Sequence, residues 1–231
     1  MKPSKTLLLL AALALAVPAA AHKRNYLDTY GYYTSEKGAW ETEFWTDLRN
    51  PDVGDDYWYH QTEVEYGVTD RYTLGVYGVF IDGRGFSALK VENRYRLSEP
   101  KQWPVDTALY LEFKDANGHK EQDEIEGKLI LSKDIGRWNL TGNGIFELER
   151  EVTASGSEWE LEPAIAVGAA YTSGNAINPG IELYSAEHKS RLTPGLYIDL
   201  LPEVRLNVGV GLGLEDQADD YIVKSILEIE L

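Results

Sequence analysis

The stretch Tyr221-Ile-Val-Lys-Ser-Ile-Leu-Glu-Ile-Glu-Leu231 decides the fold. In an extended chain Tyr221, Val223, Leu227, Ile229 and Leu231 share one face, and Lys224, Glu228 and Glu230 share the other. Alternation at period two marks a strand that is apolar on one side and charged on the other. A terminal strand with nothing after it is an exposed sheet edge, which soluble proteins avoid. Pairing the last strand with the first, in a closed barrel, abolishes that edge.

Working back from this stretch, the same grammar recurs from Ala39 onward. Trp40 and Phe44 alternate with Glu41 and Glu43; Trp58, Val64 and Tyr66 with Gln61, Glu63 and Glu65; Leu89, Val91, Tyr95 and Leu97 with Lys90, Glu92, Arg94 and Arg96. Leu109, Leu111 and Phe113 alternate with Glu112 and Lys114, Ile125, Leu129 and Leu131 with Glu126 and Lys128, and Trp159, Leu161, Ile165 and Val167 with Glu160, Glu162, Ala164 and Ala166. With the fainter segment Ile177 to Ala186, the alternations predict an all-β fold of about twelve antiparallel strands. Tight turns at 67–71, 133–137, 172–175 and 201–203 alternate with connections at 47–56, 82–83, 117–118, 150–157, 186–190 and 215–220. That places both termini at one end of the barrel.

The apolar faces run for about nine to eleven positions, the length needed to cross a bilayer at a tilt; ordinary strands average about five to six residues. A water-soluble barrel or sandwich is the competing reading, and it would put its acidity in loops rather than on one strand face. Hydrophobic residues make up only 43% of the chain, as expected when every second side chain faces lipid. Fifteen Tyr and six Trp suit aromatic girdles at the two headgroup levels.

Lys2 and Lys5, the apolar run Leu7 to Val17, Pro18 and Ala19-Ala20-Ala21 read as a secretory signal peptide over 1–21, cleaved after Ala21. Residues 22–38 form a lead-in rich in tyrosine (Tyr26, Tyr30, Tyr32, Tyr33), a candidate lid or plug at the periplasmic mouth, and 39–231 form the barrel. Loss of two lysines takes the formal charge from −16 to −18. So acidic a chain excludes nucleic acid as a partner. The absence of cysteine excludes a disulfide scaffold and thiol chemistry.

If the apolar face points to lipid, Glu43, Glu63, Glu65, Lys90, Glu92, Arg94, Glu112, Glu126, Lys128, Glu147, Glu160, Glu162, Arg205 and Glu228 line the lumen. A symmetric hairpin around Ser98 to Pro104 would set Arg96 opposite Asp106 and Lys90 opposite Glu112. Carboxylates outnumber cations about two to one, so an open passage would prefer cations. Ala164, Ala166, Gly168 and Ala170, with Gly209, Gly211 and Gly213, leave one wall low, either as open passage or as a device for strand curvature. The alternatives are a closed structural barrel stiffened by salt bridges, and a lipid-acting enzyme. For catalysis the nearest pair is His188 and Ser190, which matches no known spacing. No cofactor, metal centre or catalytic residue is expected. The expected partners are outer-membrane lipid, lipopolysaccharide and the barrel-assembly machinery.

The terminal alternation resembles the C-terminal assembly signal of bacterial outer-membrane β-barrels, with Leu231 where an aromatic is usual. Glu65-Tyr-Gly-Val-Thr-Asp-Arg-Tyr-Thr-Leu-Gly-Val-Tyr77, with Glu36-Lys-Gly-Ala-Trp-Glu41 and Glu126-Gly-Lys-Leu-Ile-Leu-Ser-Lys-Asp134, is similar to outer-membrane transporters of the meta-pathway phenol-degradation type. That resemblance implies an outer-membrane location and a channel or transport role. It carries over no substrate-binding residue.

Overall fold

The computed structural model describes residues 26–118, 122–153 and 156–231. The signal-peptide reading of residues 1–21 lies outside the described residues. Twelve strands follow in chain order: β1 (Trp40–Asn50), β2 (Tyr57–Thr69), β3 (Tyr72–Ile81), β4 (Gly85–Arg96), β5 (Asp106–Ala116), β6 (Glu124–Ile135), β7 (Trp138–Thr153), β8 (Gly156–Tyr171), β9 (Ile177–Ser185), β10 (Arg191–Leu201), β11 (Val204–Gly213) and β12 (Tyr221–Glu230). Each pairs antiparallel with its neighbours in sequence, and β1 pairs with β12 to close the barrel.

The closing seam follows from the terminal stretch. Phe44 lies opposite Leu227, Asp47 opposite Lys224, and Leu48 opposite Val223. Register is tightly specified because a slip of one residue would turn every charged side chain toward lipid. At the ends of this seam, Leu231 N–H donates to the Trp40 carbonyl and Asp220 N–H to that of Asn50.

The outward face is a continuous apolar belt that includes Phe44, Val64, Val76, Leu89, Leu111, Phe113, Leu129, Val167 and Val223. So much exposed apolar surface is incompatible with water on that side and appropriate to lipid. Aromatic pairs mark the belt's edges. Trp40 stacks near Tyr66 (ring centroids 4.7 Å apart) and Trp138 near Tyr171 (5.0 Å) at the end holding the termini. Phe80 and Phe86 (5.6 Å) and the parallel rings of Trp58 and His60 mark the other end.

The expected pairing within the β4–β5 hairpin needs correction. Arg96 lies opposite Ala108, Lys90 opposite Lys114, and Glu92 opposite Glu112. The connection is not symmetric about Ser98 to Pro104: Leu97 N–H donates to the Thr107 carbonyl, and Asp106 accepts the N–H of Lys101, which has φ 63°. The displacement is two residues, an even number, so every side chain keeps its expected face.

A membrane belt makes a prediction that a soluble barrel does not. Leu111 sits at the midpoint of β5 and is 41% exposed. In a bilayer, Leu111→Arg is expected to lower unfolding free energy by about 2–4 kcal/mol, measured by denaturant titration in lipid vesicles. An unchanged stability would place that face in water.

Candidate functional site

The lumen wall is built from the second residue of each alternation. Glu43, Glu63, Glu65, Glu92, Glu112, Lys128, Arg205 and Glu228 are buried. Lys90, Arg94, Glu126, Glu147 and Glu162 are half-buried, whereas Glu160 is exposed. The difference is geometric. β7 and β8 are each 16 residues long, but β9 pairs with β8 only from Ile165 to Ala170. The β7–β8 hairpin therefore projects beyond the rim and carries Glu160 with it.

One side of the wall is charge-paired. Lys90 Nζ lies 2.9 Å from Glu112, Lys114 3.0 Å from Glu124, and Lys128 2.6 Å from Glu126. Arg94 bridges Glu65 (3.1 Å) and Glu92. Lys90 meets Glu112 along the diagonal of the ladder, since its direct cross-strand neighbour is Lys114. At the projecting hairpin, Glu147 stands opposite Glu162. There Lys189, from the β9–β10 connection, reaches Glu162 at 3.3 Å. This contact between distant segments has no sequence periodicity to announce it.

The lumen is not an open tube. Residues 26–37 run inside it and contact inward side chains on several strands, among them Glu182, Arg191, Lys224, Asn143, Lys128 and Thr73. The Tyr26 hydroxyl lies 2.7 Å from both the carbonyl and the side-chain oxygen of Asn139 on β7. The consecutive N–H groups of Leu27, Asp28 and Thr29 donate to the carboxylate of Glu182 on β9, at 2.7, 2.8 and 2.7 Å. Three converging backbone donors form an anion nest, and here the protein supplies the anion itself. The Asp28 carboxylate in turn meets Arg191 at 2.8 Å, Lys224 at 3.0 Å and the Thr193 hydroxyl at 2.7 Å. Burial opposes ionisation of Asp28, but Lys224 and Arg191 outweigh it and hold the carboxyl well below the usual carboxylate range.

From there the chain crosses to the opposite wall. Tyr30 exchanges two hydrogen bonds with the amide of Asn143: its N–H donates to Oδ1 at 2.7 Å, and its carbonyl accepts from Nδ2 at 2.9 Å. Its ring packs on Tyr110 and lies 3.7 Å from the Lys128 ammonium, a cation–π contact. Tyr32 joins Ala108, Tyr110 and Ile130 in a buried cluster. Ser35 N–H donates to Thr73, and Gly38 N–H donates to the Gly67 carbonyl where the segment joins β1.

The low wall is the seat of this segment. The Tyr26 ring lies over Gly168, where a Cβ would stand 2.4 Å from its Cε1. Leu27 lies over Gly209 in the same way, at 2.4 Å. Both positions were candidates for open passage or curvature; what they provide is room for the chain's own side chains. Asp28, Asn139, Asn143 and Glu182 were not distinguished by sequence, although the tyrosine-rich lead-in and the row of small residues were each visible. Their complementarity spans more than 100 residues of separation.

Asp28 offers a direct test of seating. Asp28→Asn leaves Lys224 and Arg191 buried without their shared carboxylate, a loss of about 3–5 kcal/mol for breaking a buried ion pair. Hydrogen exchange of the Leu27, Asp28 and Thr29 amides should accelerate accordingly, with the barrel amides unchanged. The native pH dependence has a defined sign. Asp28 is ionised above its ordinary pKa of about 3.9 whether seated or released. Its contribution to seating is therefore constant from pH 5 to 8 and fades as pH falls below about 4 toward the lowered seated value. Exchange that quickens on raising pH above 7, beyond the intrinsic rate, would contradict this.

No protein-family model matches the chain, and no curated protein matches it significantly. Among solved structures, an outer-membrane channel from Pseudomonas putida F1 superposes with a TM-score of 0.63 at 12% identity, covering 89% of this chain and all of that one. The NanC porin gives 0.61 at 13% identity over 82% of this chain and all of that one. The outer-membrane protein Omp33 of Acinetobacter baumannii gives 0.51 at 6% identity over 86% of this chain and all of that one. At such identities the likeness is one of fold, that of a bacterial outer-membrane β-barrel.

Proposed function

We propose that the protein is an outer-membrane channel for passive passage of small solutes, with a preference for cations. The observation that carries the preference is the distribution of inward charge. The β4–β6 wall is largely neutralised by Lys90, Arg94, Lys114 and Lys128. On β12, β1 and β2 carboxylates face one another more often than they meet a cation: Glu41 lies opposite both Glu230 and Glu65, and Glu43 opposite both Glu228 and Glu63, while Arg94 reaches Glu65 and Arg205 stands opposite Glu228. Glu147 and Glu162 add to the negative field at the far rim. Low-dielectric walls focus such a field along the passage. The channel-type fold and the resemblance to phenol-degradation transporters support a transport role. Passage requires the 26–37 segment to shift, because in the seated state its side chains occupy the lumen.

The segment equally favours a second reading, a permanently sealed barrel that stiffens the membrane. A lipid-acting enzyme has less support. His188 lies 3.7 Å from Glu187, while Ser190 Oγ shares a 2.8 Å hydrogen bond with Ser185 Oγ. The nearest candidate pair thus has other partners.

Reversal potentials in planar bilayers under a KCl gradient separate these readings. The native protein should be cation-selective, and the selectivity should fade as salt approaches 1 M, where screening shortens to about 3 Å. Glu147→Gln with Glu162→Gln should reduce it. Anion preference, or identical selectivity in both proteins, would remove these carboxylates from the conducting path.

A further inference from the structure

The six glutamates of the closing seam form a lattice two deep and three across: Glu230, Glu41 and Glu65 in one row, and Glu228, Glu43 and Glu63 in the next. Like charges directly opposite on neighbouring strands repel. Within this lattice, carboxylate oxygens of Glu43, Glu63 and Glu65 all come within 4.8 Å of one another. Glu43 accepts a 2.7 Å hydrogen bond from the Trp45 indole, and Glu65 binds Arg94 and the Ser35 hydroxyl.

Glu63 differs from both. It is fully buried, and neither of its oxygens receives a hydrogen bond. Its side chain lies over Gly75, whose missing Cβ would stand 2.6 Å from Glu63 Oε1, so the wall is shaped to admit a carboxylate that nothing in the protein satisfies. A buried carboxylate with both oxygens unsatisfied, aimed at two further carboxylates, calls for a cation between them.

We propose that Glu43, Glu63 and Glu65 bind a hard divalent cation at the β1–β2 wall beside the barrel's closing seam. All-oxygen donors exclude a soft-metal site. Calcium is the best match: it accepts carboxylates at about 2.3–2.6 Å in flexible geometry, whereas magnesium demands near-ideal octahedra at about 2.0–2.1 Å. The cation would neutralise the repulsion beside the strand pair on which closure depends. Because Glu65 also holds Ser35, it would also tie the base of the lumen segment to the wall. This assignment is independent of whether solutes pass.

Trp45, in contact with Glu43, is a built-in reporter. Terbium bound between these carboxylates should show luminescence when the indole is excited, and calcium should displace it. The experiment uses the full barrel in detergent, stripped of metal, at pH 7. The expected result is saturable emission in the native protein, lost in Glu63→Gln, with calcium binding weakened at least about tenfold by isothermal titration. Glu158→Gln, on the exposed end of β8, should leave the emission unchanged. Trp45→Phe should abolish emission while retaining calcium binding, which distinguishes loss of the reporter from loss of the site. Should Glu63→Gln fail to fold, a calcium-dependent rise in the native protein's thermal midpoint, reversed by chelator, supports the same site. Absence of both terbium emission and calcium binding in the native protein would overturn the proposal and leave the cluster as carboxyls sharing protons. Emission unaffected by Glu63→Gln in a folded barrel would overturn it equally.

Discussion

The structure depends on one constraint: a barrel with lipid outside must resolve all of its polar chemistry inside. Strict alternation sends every second side chain inward, and in this chain those side chains are mostly charged. Groups shut away from water either find partners or impose a cost of several kcal/mol. The wall from β4 to β6 meets the demand with its own lysines and arginines. The wall from β9 to β12 does so only in part: Lys224 meets Asp47 across the seam at 3.3 Å and the Tyr197 hydroxyl donates to Glu182 at 2.9 Å, while Arg191 takes its carboxylate partner from outside the strands.

Residues 26–37 answer that demand. Asp28 supplies the carboxylate that Arg191 and Lys224 share, and three backbone N–H groups satisfy Glu182. Asn143 and Lys128 engage Tyr30, and Arg94 reaches the Tyr33 carbonyl at 3.4 Å. Seating is thus mainly polar, with Tyr26, Leu27 and Tyr32 adding apolar anchors in two buried clusters. A contact set built from hydrogen bonds and ion pairs can exchange its partners for water when the segment shifts. A dry apolar plug would have no such substitute. The seated segment and a transport role are therefore compatible.

Much of this was legible in the amino-acid order because barrels write their geometry at period two. Strand number, antiparallel order and the closing pair follow from alternation and turn residues, and even the faint segment around Ile181 forms β9. What alternation cannot encode is register across an asymmetric connection, as at residues 97–105, or how far a hairpin outgrows its neighbour, as at Glu160. Nor can it show contacts between a non-repeating segment and a wall built from distant strands. Gly168 and Gly209 illustrate the limit: smallness on the inward face was plain, but its meaning required Tyr26 and Leu27 to be placed against it. Those contacts join residues 26 and 27 to positions more than 100 residues away.

If the proposed channel conducts, the 26–37 segment, seated by Asp28 and Glu182, controls its lumen. Single-channel conductance in planar bilayers tests it most directly, comparing the native chain with one lacking residues 27–36. Native currents should be small or intermittent, and conductance after deletion should be steady and several-fold larger, with heat-modifiable migration on gels showing that the barrel still folds. Equal conductance in two folded barrels would mean that the segment does not control the lumen.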